Sequence, residues 1–172
     1  MSNIFFTADT HFGHANVIKH DDRPFGSIYH HDDTIINNWN NTVKDGDTIY
    51  HLGDLFWNKP SARLILPKLK GKIKLIPGNH DVNWLGKKII ATSPNLEVLE
   101  SIHELKISKE EIYILCHYPL LSWNYQRYGA KHLFGHVHGG WFNNRARACV
   151  STNILNYTPT SLDRVKEHFS KI

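Results

Sequence analysis

Apolar positions fall along the chain in short runs separated by polar clusters. Residues 3–9 read Asn-Ile-Phe-Phe-Thr-Ala-Asp, an apolar run of strand length that stops on a carboxylate. Ile35, Ile36, Trp39 and Val43 recur at near-helical spacing and predict a helix over 33–43, with Asp32 or Asp33 as its cap. The turn signal Asp45-Gly46 precedes a predicted strand at 47–52. A short helix is expected over 61–66, ended by Pro67, followed by a strand at 72–77. Beyond residue 95 the pattern is richer in strands: 96–99, 102–107, 111–117, 131–135 and 147–152. A last helix is predicted over 161–170, with Ser161 as N-cap and Asp163 in its first turn. Strand–helix–strand units followed by a strand-rich half predict an α/β sandwich, with residues 1–172 as one domain.

Composition changes this picture in one respect. The chain holds 13 histidines in 172 residues, where average usage gives roughly 4. Histidine is the commonest metal ligand and titrates near neutral pH. The balance of 20 Lys and Arg against 16 Asp and Glu is mildly basic and permits a phosphate-bearing partner. No run reaches the ~18 to 20 apolar residues of a membrane span, and no basic segment precedes residues 3–8 as in a signal peptide. Two cysteines, Cys116 and Cys149, exclude a disulfide framework or a four-cysteine zinc site. A reducing, cytoplasmic location is the expectation.

Five polar clusters fall at or just after predicted strand ends. They are Asp9-Thr10-His11, Gly53-Asp54, Gly78-Asn79-His80-Asp81, Cys116-His117 and Gly135-His136-Val137-His138. In open α/β sheets, sites form at the carboxyl ends of strands. In extended chain, residues i and i+2 point to one side, so Asp9 with His11, and His136 with His138, can aim two groups at one point. Seven candidate ligands follow: Asp9, His11, Asp54, Asn79, His117, His136 and His138. They offer oxygen and nitrogen without thiolate, a set for Mn²⁺, Fe, Zn²⁺ or Mg²⁺. Seven ligands exceed the needs of one ion with open positions and suit two ions sharing a carboxylate.

These five blocks, in this order, resemble the pattern of the calcineurin-like metallophosphoesterase superfamily: Asp-x-His, Gly-Asp, Gly-Asn-His-Asp/Glu, a lone His, then Gly-His-x-His. They span residues 9–138, about three quarters of the chain. Residues 9–14, then Arg23-Pro24-Phe25 and Asn38-Trp39-Asn40, look like a small single-domain bacterial and phage branch of that superfamily. The resemblance implies two β-sheets flanked by helices, in a four-layer αββα order. It implies two divalent ions, Mn²⁺ first among the candidates. Asp9, His11, Asp54 and His138 would hold one and Asp54, Asn79, His117 and His136 the other, with Asp54 bridging. It further implies a hydroxide bridging the ions that attacks phosphorus in line with the leaving oxygen. His80 would contact the scissile phosphate and assist that oxygen.

One departure and several open roles remain. Where protein-phosphatase members continue Gly-Asp into a second Asp and an Arg-Gly, this chain reads Leu55-Phe56-Trp57-Asn58. Phosphodiesters are therefore expected over phosphomonoesters, with a nucleotide or nucleic-acid derivative as one substrate class. No membrane and no obligate protein partner is expected. Asp81 either orients His80 or caps the following turn. His14 either reaches substrate phosphate or caps a turn. Arg23 is the arginine placed to fold back over the site. His51 reads as a core histidine, and His20, His30, His31, His103, His132 and His168 as surface or second-layer residues. The alternating Lys68, Lys70, Lys72 and Lys74 read as a solvated face. Trp57, Trp84, Trp123 and Trp141 fall near the clusters. Two other classes compete: a metallophosphoesterase fold kept as a binding scaffold, and a metallo-β-lactamase-type hydrolase. The latter requires His-x-His-x-Asp-His, but here Gly139-Gly140 follow His138.

Overall fold

A computed structural model describes residues 2–86, 89, 93–139 and 143–171. Trp141 lies outside the described residues. Nine strands are described: β1 (Ile4–Thr7), β2 (Thr48–His51), β3 (Lys72–Leu75), β4 (Leu96–Val98), β5 (Ile102–Lys106), β6 (Ile112–Cys116), β7 (Lys131–Phe134), β8 (Arg147–Cys149) and β9 (Thr160–Ser161). Four α-helices accompany them: α1 (Val17–His20), α2 (Ile28–Thr42), α3 (Lys59–Ile65) and α4 (Leu162–Ser170). The strands form two sheets, in the orders β4-β3-β2-β1-β9 and β5-β6-β7-β8.

Strand alternation sorts the apolar side chains onto two faces. Phe6, Tyr50 and Leu52 of the first sheet share one apolar cluster with Leu105, Tyr113, Leu115 and Leu133 of the second. Their neighbours Phe5, Ile49 and Ile73 point the other way, into a cluster with Ile35, Ile36 and Trp39 of α2 and Ala62 and Ile65 of α3. Each large side chain fully buried this way stabilises the fold by about 1.5–3 kcal/mol relative to exposure. The opposite face of the second sheet is covered by residues 118–130. There the Trp123 ring packs on His132 at 5.1 Å, and the Trp123 indole N–H donates to Ala130 O at 2.9 Å.

Register sets where the site forms. β1, β2 and β3 are parallel, with Thr7 level with His51 and His51 level with Leu75. The loops that carry Asp9, Asp54 and Asn79 therefore leave one edge together. β6 and β7 are also parallel, with Leu115 opposite Leu133, so His117 and His136 leave a common edge of the second sheet. An isolated bridge from Ala8 to Ser151 ties the two edges. It also explains why β8 stops at Cys149 rather than running to 152: past Cys149 the chain crosses from its own sheet to bond Ala8.

Local caps move two helix starts. α2 begins at Ile28, not 33, because Ser27 Oγ accepts from His30 N. Asp32 lies inside the helix and serves Gly13 N and His31 Nδ1 instead. α3 begins at Lys59 because Asn58 Oδ1 accepts from Ser61 N. Pro60 falls in its first turn, where no N–H is needed, and Leu66–Lys68 continue as a 3₁₀ turn through Pro67. α4 starts as predicted, with Ser161 Oγ accepting from Arg164 N. Lys68, Lys70 and Lys72 are exposed, in line with a solvated face. No helix among the described residues is long and apolar enough to cross a membrane.

Candidate metal centre

The loops that carry the candidate ligands turn sharply as they leave the sheets. Asp9, His11, Asp54, His136 and His138 all adopt left-handed backbone, with φ of 57°, 51°, 58°, 66° and 51°. Each such non-glycine residue stores strain of order 1 kcal/mol or more, and strain of this kind gathers at functional sites. The turns are held by backbone bonds between loops: Asp9 N to Gly53 O and His11 N to Asp54 O, both 3.0 Å. Gly53 has φ of +89°, and a Cβ there would overlap the His117 ring. At Gly135 a Cβ would come within 2.7 Å of Asp9 Oδ2. Glycine at these two places lets imidazole and carboxylate pack directly on main chain.

Donor atoms from five clusters converge. His11 Nε2 lies 3.2 Å from His138 Nε2 and 3.6 Å from Asp54 Oδ2. His138 Nε2 lies 3.5 Å from Asp9 Oδ1. On the other side His117 Nε2 lies 3.5 Å from Asp54 Oδ2 and 3.1 Å from Asn79 Oδ1. Among the described residues, Asp9, His11 and His138 form one group with donor atoms within 4.8 Å of one another, and Asp9, Asp54 and His117 a second. Asp9 thus belongs to both groups, while Asp54 Oδ2 is nearly equidistant from His11 Nε2 and His117 Nε2. His136 stands at the margin. Its ring packs on His117 at 5.1 Å and on Tyr118 at 4.7 Å, and its N–H donates to the Asp9 carboxylate.

This donor set fits a cation. His117 Nδ1–H donates to Leu52 O at 2.8 Å, which leaves Nε2 a lone pair facing the Asn79 carbonyl oxygen. His138 Nδ1–H donates to Asp21 Oδ2 at 2.6 Å, which leaves its Nε2 facing Asp9 Oδ1. Facing lone pairs repel unless a proton or cation sits between them. Burial by itself would raise the Asp9 carboxyl, but the hydrogen bond and charge of His138, then the charges of His117 and His11, hold it well below the usual range. Burial would lower His138, yet hydrogen bonds from it to Asp21 and Asp9 pull its pKa up to about 9. Burial pushes His11 down to about 2, against the pull of Asp9. Burial raises Asp54, with Asp9 adding to the rise against His117. Two adjacent buried carboxylates call for compensating positive charge.

The remaining site candidates separate. His80 borders the cleft. Its ring lies 5.5 Å from that of His11 and 5.0 Å from that of Trp57, and its N–H donates to Asp54 Oδ1. Asp81 does not orient it. The buried Asp81 carboxylate accepts from Asp54 N, Leu55 N, Gly78 N and the Trp84 indole N–H, and no hydrogen bond joins it to His80 among the described residues. It clamps the loops of Asp54 and Asn79 together instead, and it takes no backbone N–H of the turn that follows it among the described residues. His14 lines the cleft. Arg23 does not reach over the site: its side chain is fully buried and bonded to Asp21, Asp9 O, Thr10 O and His31. A guanidinium sunk in this way is not free for substrate. Trp84 is core. His51 is buried against Thr10 Oγ at 3.1 Å, as expected of a core histidine. His31 and His132 are wholly buried too; His132 takes the Leu120 N–H and bonds Ile114 O.

Sequence reasoning passed over Asp21, which bonds His138, and Ser151, whose hydroxyl donates to Asp9 Oδ2. Neither stands in a cluster. It also left Tyr118 unremarked, whose ring meets both His117 and His136.

No protein-family model matches the chain. A solved structure, that of the protein of unknown function AQ665 from Aquifex aeolicus, superposes with a TM-score of 0.72 at 23% identity, over 97% of this chain and 99% of that one. It shares the fold. The Gene 66 protein of Mycobacterium phage L5 is 31% identical over 85 residues, covering 47% of this chain and 41% of that protein. The "Uncharacterized protein MJ1445" of Methanocaldococcus jannaschii is 36% identical over 176 residues, covering 99% of this chain and 93% of its relative. With nearly the whole of both chains aligned at that identity, this protein belongs to the family of MJ1445.

Proposed function

We propose that this chain is a binuclear metal-dependent phosphoester hydrolase, built as a calcineurin-like metallophosphoesterase. The observation that carries the reading is the place of Asp54 Oδ2, 3.6 Å from His11 Nε2 and 3.5 Å from His117 Nε2. One carboxylate oxygen there faces both halves of the donor cluster, as a bridging ligand must. Asp9, His11, Asp54 and His138 would hold one divalent ion, and Asp54, Asn79, His117 and His136 the other, with Mn²⁺ the first candidate. Bound ions of this kind supply positive charge for phosphoryl oxygens and make a water nucleophilic near neutral pH.

The side chains around the ions have their own tasks. His80, at the cleft and outside the donor groups, donates a proton to the leaving oxygen. His14, backed by Trp57, forms a wall against which the ester group rests. Asp81 and Gly53 hold the loops of Asp54 and Asn79 at a fixed separation, so the donors need no rearrangement when charge develops. The ligands bind several first-row ions, and availability selects among them.

The test is metal stoichiometry with turnover. Purified protein is titrated with Mn²⁺ and assayed on bis(4-nitrophenyl) phosphate. Two equivalents and Mn²⁺-dependent release of nitrophenol are expected, with both equivalents weakened in Asp54→Asn. One equivalent at saturation, or two with no turnover of any phosphoester, overturns the proposal.

A further inference from the structure

We propose that Asp21 is the positioning residue of His138, and that the buried Arg23 holds Asp21 in that role. The assignment rests on the cluster being a metal centre. Asp21 comes from the turn after α1 and His138 from the loop after β7, 117 residues away. Their bond is the only hydrogen bond from the His138 ring to anything but Asp9 and His11 among the described residues.

An imidazole offers two nitrogens, and the one that keeps its proton cannot ligate. Asp21 Oδ2 takes the Nδ1–H at 2.6 Å. Nε2, the nitrogen that would ligate, is thereby turned toward Asp9 Oδ1 and His11 Nε2. Without that carboxylate the ring has no partner fixing its rotation or its tautomer. Carboxylates behind ligating histidines raise the ligand's basicity and set its orientation.

Asp21 would itself swing to water were it not held. Arg23 grips the same oxygen twice, through Nε at 3.1 Å and Nη2 at 3.0 Å, and Asn153 Nδ2 adds a third donor at 3.3 Å. Asp22, between them, has φ of 48°, which folds the turn so that two residues so near in sequence face each other. The far side of the guanidinium is also occupied. Nη2 donates to Asp9 O at 2.9 Å and Nη1 to Thr10 O at 3.2 Å. Nη1 also meets His31 Nε2 at 2.8 Å, and His31 Nδ1 is backed by Asp32 at 2.7 Å. One buried cation thus fixes both the carboxylate behind His138 and the left-handed backbone of Asp9. An ordinary buried ion pair would end in the core; this one ends on two ligands of the same group, Asp9 and His138.

The experiment reads metal affinity and tautomer rather than activity. Wild type, Asp21→Ala and Asp21→Asn are titrated with Zn²⁺, and the His138 tautomer of the Zn²⁺-loaded proteins is read from long-range ¹H–¹⁵N correlation spectra. Wild type is expected to carry the His138 proton on Nδ1. Asp21→Ala is expected to weaken one of two equivalents about 10- to 100-fold, the range typical for such partners, with the other equivalent unchanged. Asp21→Asn keeps size and an acceptor, so it recovers part of that loss; it also serves should the alanine variant fail to fold. Unchanged affinity at both sites, or an equal loss at both tracking a lower melting temperature, overturns the assignment and leaves a structural brace. Wild type that takes up no divalent ion overturns the metal centre itself, and does so before any variant is compared.

Discussion

His14 lies flat on Trp57, with ring centroids 3.7 Å apart and planes 2° from parallel. Burial first, then the neighbouring His80 and His20, brings His14 down to about 4, so the ring is neutral at pH 7. The cleft is therefore walled on this side by an uncharged His14 ring backed by Trp57. Aromatic pairs are worth about 0.5–1.5 kcal/mol beyond area burial. Trp57→Ala is expected to lower kcat/KM for an aromatic phosphodiester by roughly 2- to 10-fold, mostly through KM, with metal stoichiometry unchanged. Steady-state kinetics beside a metal assay check this; a variant that loses metal would place Trp57 in the ligand scaffold instead.

His80→Ala is expected to retain both ions and lose rate. Its imidazole is outside the two tight donor groups, while its backbone N–H, which survives the substitution, is what supports Asp54. General acid help is typically worth ~10² to 10⁴-fold. The loss should shrink as the leaving group becomes more acidic. A series of aryl esters of graded leaving-group pKa gives the answer, and a flat dependence would remove His80 from proton transfer.

Stability should fall on mild acidification, and His51 gives one cause. Burial lowers its pKa to about 3, against about 6.5 in an unfolded chain. Between those values the unfolded state binds the extra proton. Stability is full above about 6.5 and is lost as pH falls toward 3, at up to about 1.4 kcal/mol per pH unit for this residue. Burial lowers His132 in the same direction. Urea midpoints at pH 7, 6 and 5 should decline, and less steeply in His51→Leu. A pH-independent midpoint over that range contradicts the burial argument.

The ligand candidates were legible because each stands at the end of a strand, where sequence pattern and chemistry coincide. Register then brought Asp9, Asp54 and Asn79 to one edge without further information. Asp21 was illegible for the opposite reason: it lies in a polar turn, and its partner is fixed only by tertiary folding. Arg23 was expected to fold back over the site because it lies in the loop after His14, and arginine seldom has all its donors met in the interior. Here Asp21, two carbonyls and His31 accept from them. The start of α2 was misplaced because Asp32 and Asp33 looked like caps. Ser27 had already taken that role, and tertiary bonding had drawn Asp32 to Gly13.

Phosphodiesters are expected to be hydrolysed in preference to phosphomonoesters. A monoester is a dianion near neutral pH, and its recognition gains most from an arginine gripping it bidentately. The cleft of about 190 Å³ is lined by His11, His14, Asp54, His80 and His138 among others, with no lysine or arginine among the described lining residues. Arg23, whose guanidinium backs the Asp9 loop, is spent on Asp21 and the backbone of Asp9 and Thr10. A diester carries a single negative charge and a second ester group that the His14 ring, backed by Trp57, can receive. Under identical Mn²⁺ and pH, kcat/KM for bis(4-nitrophenyl) phosphate should exceed that for 4-nitrophenyl phosphate by about tenfold or more, the equivalent of one charge-assisted contact the monoester lacks. Arg23→Ala should injure both substrates alike, through the ligand loop, because the guanidinium touches neither. A higher value for the monoester, lost selectively in Arg23→Ala, would mean that Arg23 leaves its buried place to bind phosphate.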